Sequence, residues 1–294
     1  MDVGTREISF WKMIMFEDIR SWWRQTKKIR AEEAILSNLP RAEIDTSKLR
    51  KIDKGEIERI LTEPKLHEEW LVLAKEIDQL ILIEDMKTGG VNPGDRRALY
   101  YLVRALGLKR VLEIGTNVGA STIHIAAAMK VNLLADEKPN KHSLVTVDIV
   151  DVNHAPDAFW RLGGLPRSPR DNIEAMGMME HVTFVTNSSL TYLDECDESF
   201  DLIFLDGDHS AAMVYQEVPR ALRRLRESGL LLLHDFFPKN RPLWSDRTVV
   251  PGPLLAVKRL VREQANVSVI PLGSLPLPTK LHSNVTSLAV LRAA

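Results

Sequence analysis

The sequence predicts a doubly wound α/β domain over residues 91–294, with a seven-stranded, mostly parallel sheet, behind a helical extension over residues 1–90. Three observations carry this expectation. After residue 110, short apolar runs alternate with helical periodicity, the pattern of parallel strands covered on both faces. The last two apolar runs have no helix between them, so they close the sheet as an antiparallel pair. The character of the chain changes at Thr88 to Asp95, where three glycines and a proline in eight residues oppose regular structure.

In the extension, Trp11, Met15, Ile19 and Trp22 recur at helical spacing and lead into Arg24, Lys27, Lys28 and Arg30. An aromatic stripe beside basic residues suits a membrane-surface helix. Apolar faces are more generally buried against protein, so the expectation is packing on the second domain or a homodimer contact. A second helix is expected from Leu66 to Met86, with Leu66, Trp70, Leu73, Ile77 and Leu80 on one side, and a loop from Arg41 to Lys54. Asp95 is placed to cap a helix carrying Leu99, Leu102, Val103 and Leu106, which Gly107 stops. Strands are then expected at Arg110–Ile114, Ser143–Asp148, His181–Val185, Phe200–Leu205 and Gly229–Leu233, with a helix over Ala120–Met129 after the first. Val267–Leu272 and Ser287–Leu291 supply the closing pair.

Charge and composition narrow the function. Lys and Arg total 39 against 40 for Asp and Glu, so no overall field draws the chain to nucleic acid or an anionic membrane. The single cysteine, Cys196, has no internal disulfide partner, and no secretory pattern opens the sequence. No apolar run approaches the roughly 20 residues of a membrane span. These features together predict a soluble cytoplasmic protein acting on a small molecule.

In open α/β sheets, ligands sit beyond the C-terminal strand ends, where strand order reverses. After the first strand comes Glu113-Ile-Gly115-Thr116-Asn-Val-Gly119-Ala-Ser121. Its glycines allow a tight turn and close backbone approach, and the following helix presents free N–H groups. The spacing departs from the dinucleotide pattern G-x-G-x-x-G, since Asn stands at 117 and Ala at 120. Asp148 ends the second strand, where a carboxylate can accept from both hydroxyls of a ribose. Strand-to-helix punctuation and a capping Asp are the plainer readings of each signal alone. Together they point to an adenosine ligand.

These segments, with the run Phe200-Asp-Leu-Ile-Phe-Leu-Asp206-Gly-Asp208-His209-Ser210, resemble the successive motifs of the Rossmann-like class I S-adenosylmethionine-dependent methyltransferases. The turn Asp206 to His209 and the later Leu233-His-Asp235 resemble the branch that methylates small molecules such as catechols and macrolide sugars. The resemblance covers residues 90–294. It implies S-adenosylmethionine as cofactor, with Glu113, Gly115 and Gly119 around the methionine part, Thr116 and Ser121 in the same loop, and Asp148 at the ribose. Ser188 falls where the family often has an acid beside the adenine. In metal-dependent relatives, acids after strands four and five hold a divalent ion. Asp206 and Asp235 match two of those places and make Mg2+ a candidate, while His234 stands where some relatives have Glu, and Phe236 where catechol-type enzymes have Asn.

Methyl transfer from a sulfonium is an in-line displacement that needs positioning and a proton acceptor, and no covalent intermediate. Accordingly Asp206, Asp208 and His209 are the candidate catalytic residues, with His209 as general base toward a hydroxyl or amine. Cys196 reads as an ordinary small residue. Arg161, Arg167, Arg170 and Arg241, in long insertions, are candidates to recognise an anionic group on the acceptor. Two other functions stay open on these residues: a nicotinamide oxidoreductase, which lacks its tighter glycine fingerprint here, and a protein that binds the cofactor for regulation or other chemistry.

Overall fold

The computed structural model describes residues 23–81, 90–136, 142–264, 266–279 and 283–294. Five parallel strands, β1 (Arg110–Ile114), β2 (Ser143–Asp148), β3 (Val182–Thr186), β4 (Phe200–Leu205) and β5 (Leu225–Leu233), are joined by β6 (Val267–Pro271) and β7 (Ala289–Ala293) in the order β3-β2-β1-β4-β5-β7-β6. Only β7 runs against the rest, inserted between β5 and β6 and antiparallel to both. The sheet is therefore the seven-stranded Rossmann-like one, closed by an antiparallel pair as its apolar runs suggest. β5 begins four residues before the expected Gly229, and its polar start Arg226-Glu-Ser, with Ser228 at φ +59°, coincides with a register shift against β4. β7 begins two residues after the expected Ser287, whose backbone and hydroxyl are held by Asp95.

The central strands are apolar on both faces because helices cover both. Leu99, Val111 and Phe204 belong to the core on one side of the sheet, and Leu112, Ile203 and Leu231 to the core on the other. Each such fully buried side chain contributes roughly 1.5–3 kcal/mol. The helices α4 (Pro93–Ala105) and α5 (Ala120–Leu134) pack together on the first side, and α9 (Ala211–Arg224) and α10 (Gly252–Glu263) on the second. Between these lie α6 (Phe159–Leu162), α7 (Pro169–Ala175) and α8 (Ser189–Glu195). Asp95 does not cap α4. Asn92 does, its Oδ1 accepting from the amides of Gly94 and Asp95, which leaves the Asp95 carboxylate free to turn inward.

The N-terminal region contributes α1 (23–37), α2 (Lys54–Leu61) and α3 (Pro64–Leu80). The apolar stripe from Trp11 to Trp22, and the last residues of the helix expected to reach Met86, lie outside the described residues. On α3, Leu66, Trp70 and Ile77 are buried. The Trp70 ring meets Tyr100 and His124 at 5.3 Å and Tyr101 at 6.4 Å, which fixes α3 against α4 and α5.

Residues 36–50, which overlap the loop expected from Arg41 to Lys54, form an ordered strap over the far end of the sheet. Arg50 N donates to Gly229 O at 2.8 Å, and Gly229 N to Lys48 O at 3.0 Å. Arg259 on α10 donates to the carbonyls of Leu36 and Leu39, and Gln264 to that of Ala42. Tyr215 on α9 accepts from Ala42 N and donates to Glu263. Backbone groups make many of its contacts, and Leu36 and Leu49 add buried side chains to the core beneath. Among the described residues no helix is long and apolar enough to cross a membrane.

Candidate active site

Strand order reverses between β1 and β4, and a cavity of about 580 Å³ opens beyond the strand ends there. The β1 loop and the β4 loop touch at its floor. Gly115 has φ +98°, and a Cβ there would stand 2.1 Å from the Asp206 carbonyl oxygen, so only glycine fits. Gly119 also has positive φ, as N-cap of α5, leaving the first amides of that helix without a side-chain cap. Thr116, Asn117, Val118, Ala120 and Ser121 line the cavity from this loop.

Asp148 lines the cavity at the end of β2. Its Oδ2 accepts from the amides of Thr116 at 3.1 Å and Asn117 at 2.9 Å, and its Oδ1 from Val150 at 3.1 Å. The residue that marks the second strand thus also shapes the glycine turn of the first. Glu113 differs from the expectation that it surrounds the ligand directly. It is fully buried beneath the loop, absent from the cavity lining, and its Oε2 accepts from Thr122 and Thr146 at 2.6 Å. Thr116 passes its hydroxyl proton to Thr146 at 2.6 Å, extending the same buried network. Burial pushes the Glu113 carboxyl up to about 7; hydroxyls of Ser121, Thr122 and Thr146 pull it down, and the Asp206 charge adds to the rise.

Ser188 caps α8, accepting from Thr191 N, and lines the cavity between Asn187 and Ser189. Behind it, Glu217 of α9 is 1% exposed, with Oε1 lacking a partner. Burial pushes its carboxyl up to about 7, a Ser189 hydrogen bond pulls it down, and the Asp208 charge raises it.

At the other end Asp206, Asp208, His209, His234 and Asp235 converge on the cavity. His209 Nε2 lies 3.7 Å from Asp206 Oδ1 and 3.6 Å from Asp235 Oδ2. His234 Nδ1 lies 2.5 Å from Asp206 Oδ1, and its Nε2 3.1 Å from the buried Asp95 Oδ2. Burial pulls the His234 imidazole down, but the charges of Asp206 and Asp235 and hydrogen bonding with Asp206 and Asp95 outweigh it, holding the ring well above its ordinary pKa. Asp208 Oδ1 accepts from Ser210 N, and Ser210, not Asp206, caps α9.

Phe237, 1% exposed, and Trp244 meet edge to face at 5.7 Å and form an apolar wall with Met213 and Val250. Phe236 turns instead into the core. Five aspartates line the cavity and, among the described residues, no lysine or arginine does. The expectation that Arg161, Arg167, Arg170 or Arg241 meets the ligand is therefore overturned. Arg161 stacks on Trp160 and Arg170 on Phe184.

Several site residues carried no sequence signal. Asp95 reaches His234 across 139 residues, and Asp246 and Trp244 arrive on an irregular segment. Glu32 of α1 accepts from Ala211 N at 2.8 Å, next to the His209 turn, and Gln25 donates to Asn240 O at 2.9 Å. Gly252 of α10 packs on the same turn, where a Cβ would stand 2.0 Å from His209 O.

Residues 112–236 match the family model described as a methyltransferase domain. Over these residues the chain is similar to methyltransferase domains. The match begins inside β1, holds the glycine turn, Asp148 and the His209 turn, and ends at Phe236. A protein of Mycobacterium sp. strain JLS with an O-methyltransferase designation is 30% identical over 152 residues, 51% of this chain and 59% of its own length. The catechol O-methyltransferase of Niastella koreensis is 28% identical over 166 residues, 55% of this chain and 64% of its own. The chain thus spans about six tenths of the length of these curated relatives. Among solved structures, the Bacillus cereus O-methyltransferase in complex with SAH superposes with a TM-score of 0.48 at 18% identity, over 77% of this chain and 99% of that one.

Proposed function

We propose that the protein transfers a methyl group from S-adenosylmethionine to a hydroxyl, or an amine, of a small-molecule acceptor. One observation carries the reading. The cavity at the strand-order switch has the glycine turn and Asp148 at one end, His209 at the other, and five aspartates along its walls. S-adenosylmethionine supplies an electrophilic methyl on a cationic sulfonium, and a cavity where five aspartates outnumber two histidines favours such a cation.

The roles follow from placement. Gly115 and Gly119, with Thr116 and Ser121, let the backbone close around the methionine part, and the α5 N-terminus faces its carboxylate. Glu113 supports this turn from below. Asp148 would hold the ribose through the lone pair that remains beside its amide donors, and Asn187 and Ser188 would flank the adenine. Phe237, Trp244 and Met213 exclude water at the acceptor end and suit an apolar or aromatic acceptor. His209 Nε2 takes the acceptor proton as the bond to the methyl forms, with Asp206 and Asp235 holding the imidazolium that results and Asp208 shaping the turn. Residues 91–294 would carry this chemistry. Residues 1–90 would seal the acceptor end through Gln25 and Glu32.

Magnesium, the second cofactor considered for Asp206 and Asp235, fits the donors badly. Magnesium takes oxygen ligands and waters, whereas the Asp206 carboxylate is met by two imidazole nitrogens and Phe236 brings no donor. No step is assigned to it.

The test is methylation of a panel of phenols, sugars and amines with labelled cofactor, run beside His209→Ala. The variant should lose about 10²- to 10⁴-fold in turnover with unchanged cofactor affinity. A variant working at the wild-type rate would remove His209 from the reaction.

A further inference from the structure

We propose that Asp206, His209 and His234 form a chelating site for a late first-row divalent metal ion, and that its occupation withdraws His209 from methyl transfer. The second half rests on the proposed function; the first does not. Asp206 Oδ1, His209 Nε2 and His234 Nδ1 all lie within 4.8 Å of one another. Asp206 Oδ1 stands 2.5 Å from the His234 nitrogen and 3.7 Å from that of His209. Donors about 2.1 Å from a shared ion lie roughly 3.0 to 4.2 Å apart. The His209–Asp206 pair falls in that range, and the Asp206–His234 pair has only to open by about 0.5 Å to admit an ion.

His234 is built as a ligand. Its side chain is 10% exposed, and Nδ1 faces the cluster 2.5 Å from Asp206 Oδ1, the contact that a bound ion would replace. Its other nitrogen is held by Asp95, which also accepts from Ser287 N and Ser287 Oγ at 2.8 Å and from Asn92 Nδ2. A carboxylate gripping the far nitrogen of a histidine fixes the ring for metal binding through the near one. An ion arriving at Nδ1 displaces one proton to solvent, while the Nε2 proton stays shared with Asp95.

The donors also choose the ion. Two imidazoles and one carboxylate favour zinc, cobalt or nickel over magnesium and calcium, which take oxygen. The Nε2 lone pair of His209 that would accept the acceptor's proton is the same one an ion would use, so the two uses exclude each other.

Zinc and cobalt alone serve as probes, with the full chain first stripped by a chelator. Calorimetry should show one zinc per chain, weakened at least about tenfold in His234→Ala, in His209→Ala and, through loss of the ring's support, in Asp95→Asn. Cobalt should give visible absorption bands that both histidine variants lose. If His234→Ala fails to fold, the half-exposed His209→Ala carries the comparison. Zinc should lower turnover in step with occupancy, and chelator should restore it. Absence of saturable zinc binding, wild-type affinity in a folded histidine variant, or turnover that rises with zinc overturns the proposal. S-adenosylmethionine binding is measured in parallel; its loss in the wild type would refute the methyltransferase reading while the zinc titration still decides the site.

Discussion

Replacing Asp148 with Ala isolates the residue that links the first two strands to the ligand. In the wild type its carboxylate accepts three amides, from Thr116, Asn117 and Val150, at 2.9 to 3.1 Å. Each carboxylate oxygen has two lone pairs, and with both on Oδ2 and one on Oδ1 engaged, Oδ1 keeps one for a ribose hydroxyl. Hydrogen bonds to a charged group are worth about 1.5–3 kcal/mol, which predicts cofactor binding weaker by about 10- to 150-fold. The Thr116 and Asn117 amides face the cavity and regain water, so the fold should survive the change. Calorimetry with S-adenosylhomocysteine and its 2′-deoxy analogue separates the ribose contact from loop disturbance. The wild type should prefer the hydroxylated ligand, and Asp148→Ala should bind both alike. A variant that binds the cofactor as tightly as wild type, or keeps the full preference, would show that Asp148 only shapes the turn.

Two further outcomes follow from buried or remote groups. Burial holds the Glu217 carboxyl at about 7 against an ordinary 4.5, so between those values the folded state keeps a proton the unfolded state has lost. Stability therefore falls as pH rises through that window, by at most about 3 kcal/mol. Glu217→Gln should lack this loss, and urea denaturation should show its advantage over wild type growing from pH 5 to pH 8; an advantage independent of pH would refute the assignment. Glu32→Ala removes the acceptor for Ala211 N beside the His209 turn. It should lower kcat severalfold, leave cofactor Kd unchanged and be rescued in part by Glu32→Gln, whereas equal effects on kcat and Kd would count against a positioning role.

Elements whose pattern is set by burial were legible in the sequence. β1, β2 and β4 lie where their apolar runs place them, because both faces are covered and most central positions read apolar. The glycine turn was legible for a steric reason, since the close approach at Gly115 admits no side chain. Contacts made by backbone groups were not legible. The strap over residues 36–50 looks like a loop because its hydrogen bonds leave no side-chain pattern. Asp95 was read as a cap from its position before an apolar helix, yet Asn92 takes that role and Asp95 serves His234 from the interior. Glu113 was placed at the ligand by resemblance, and its buried hydroxyl partners, 9 and 33 residues away, show it one layer deeper. The arginines of the long insertions carried a signal in composition only, and their stacking on Trp160 and Phe184 could not be read from spacing.

The strap has a consequence for how the chain comes to be folded. Its anchors, Arg259, Gln264, Tyr215 and Gly229, lie about 170 to 220 positions downstream. During synthesis residues 36–50 emerge before these anchors and have no surface to settle on until β5, α9 and α10 have been made. Pairings this distant in sequence form late and slowly. The strap is thus the last layer laid down on the domain, although it is made before the elements it rests on. A chain stalled before residue 259 would hold Leu36, Leu49 and the apolar face of α9 uncovered together, and that state is the one most exposed to aggregation.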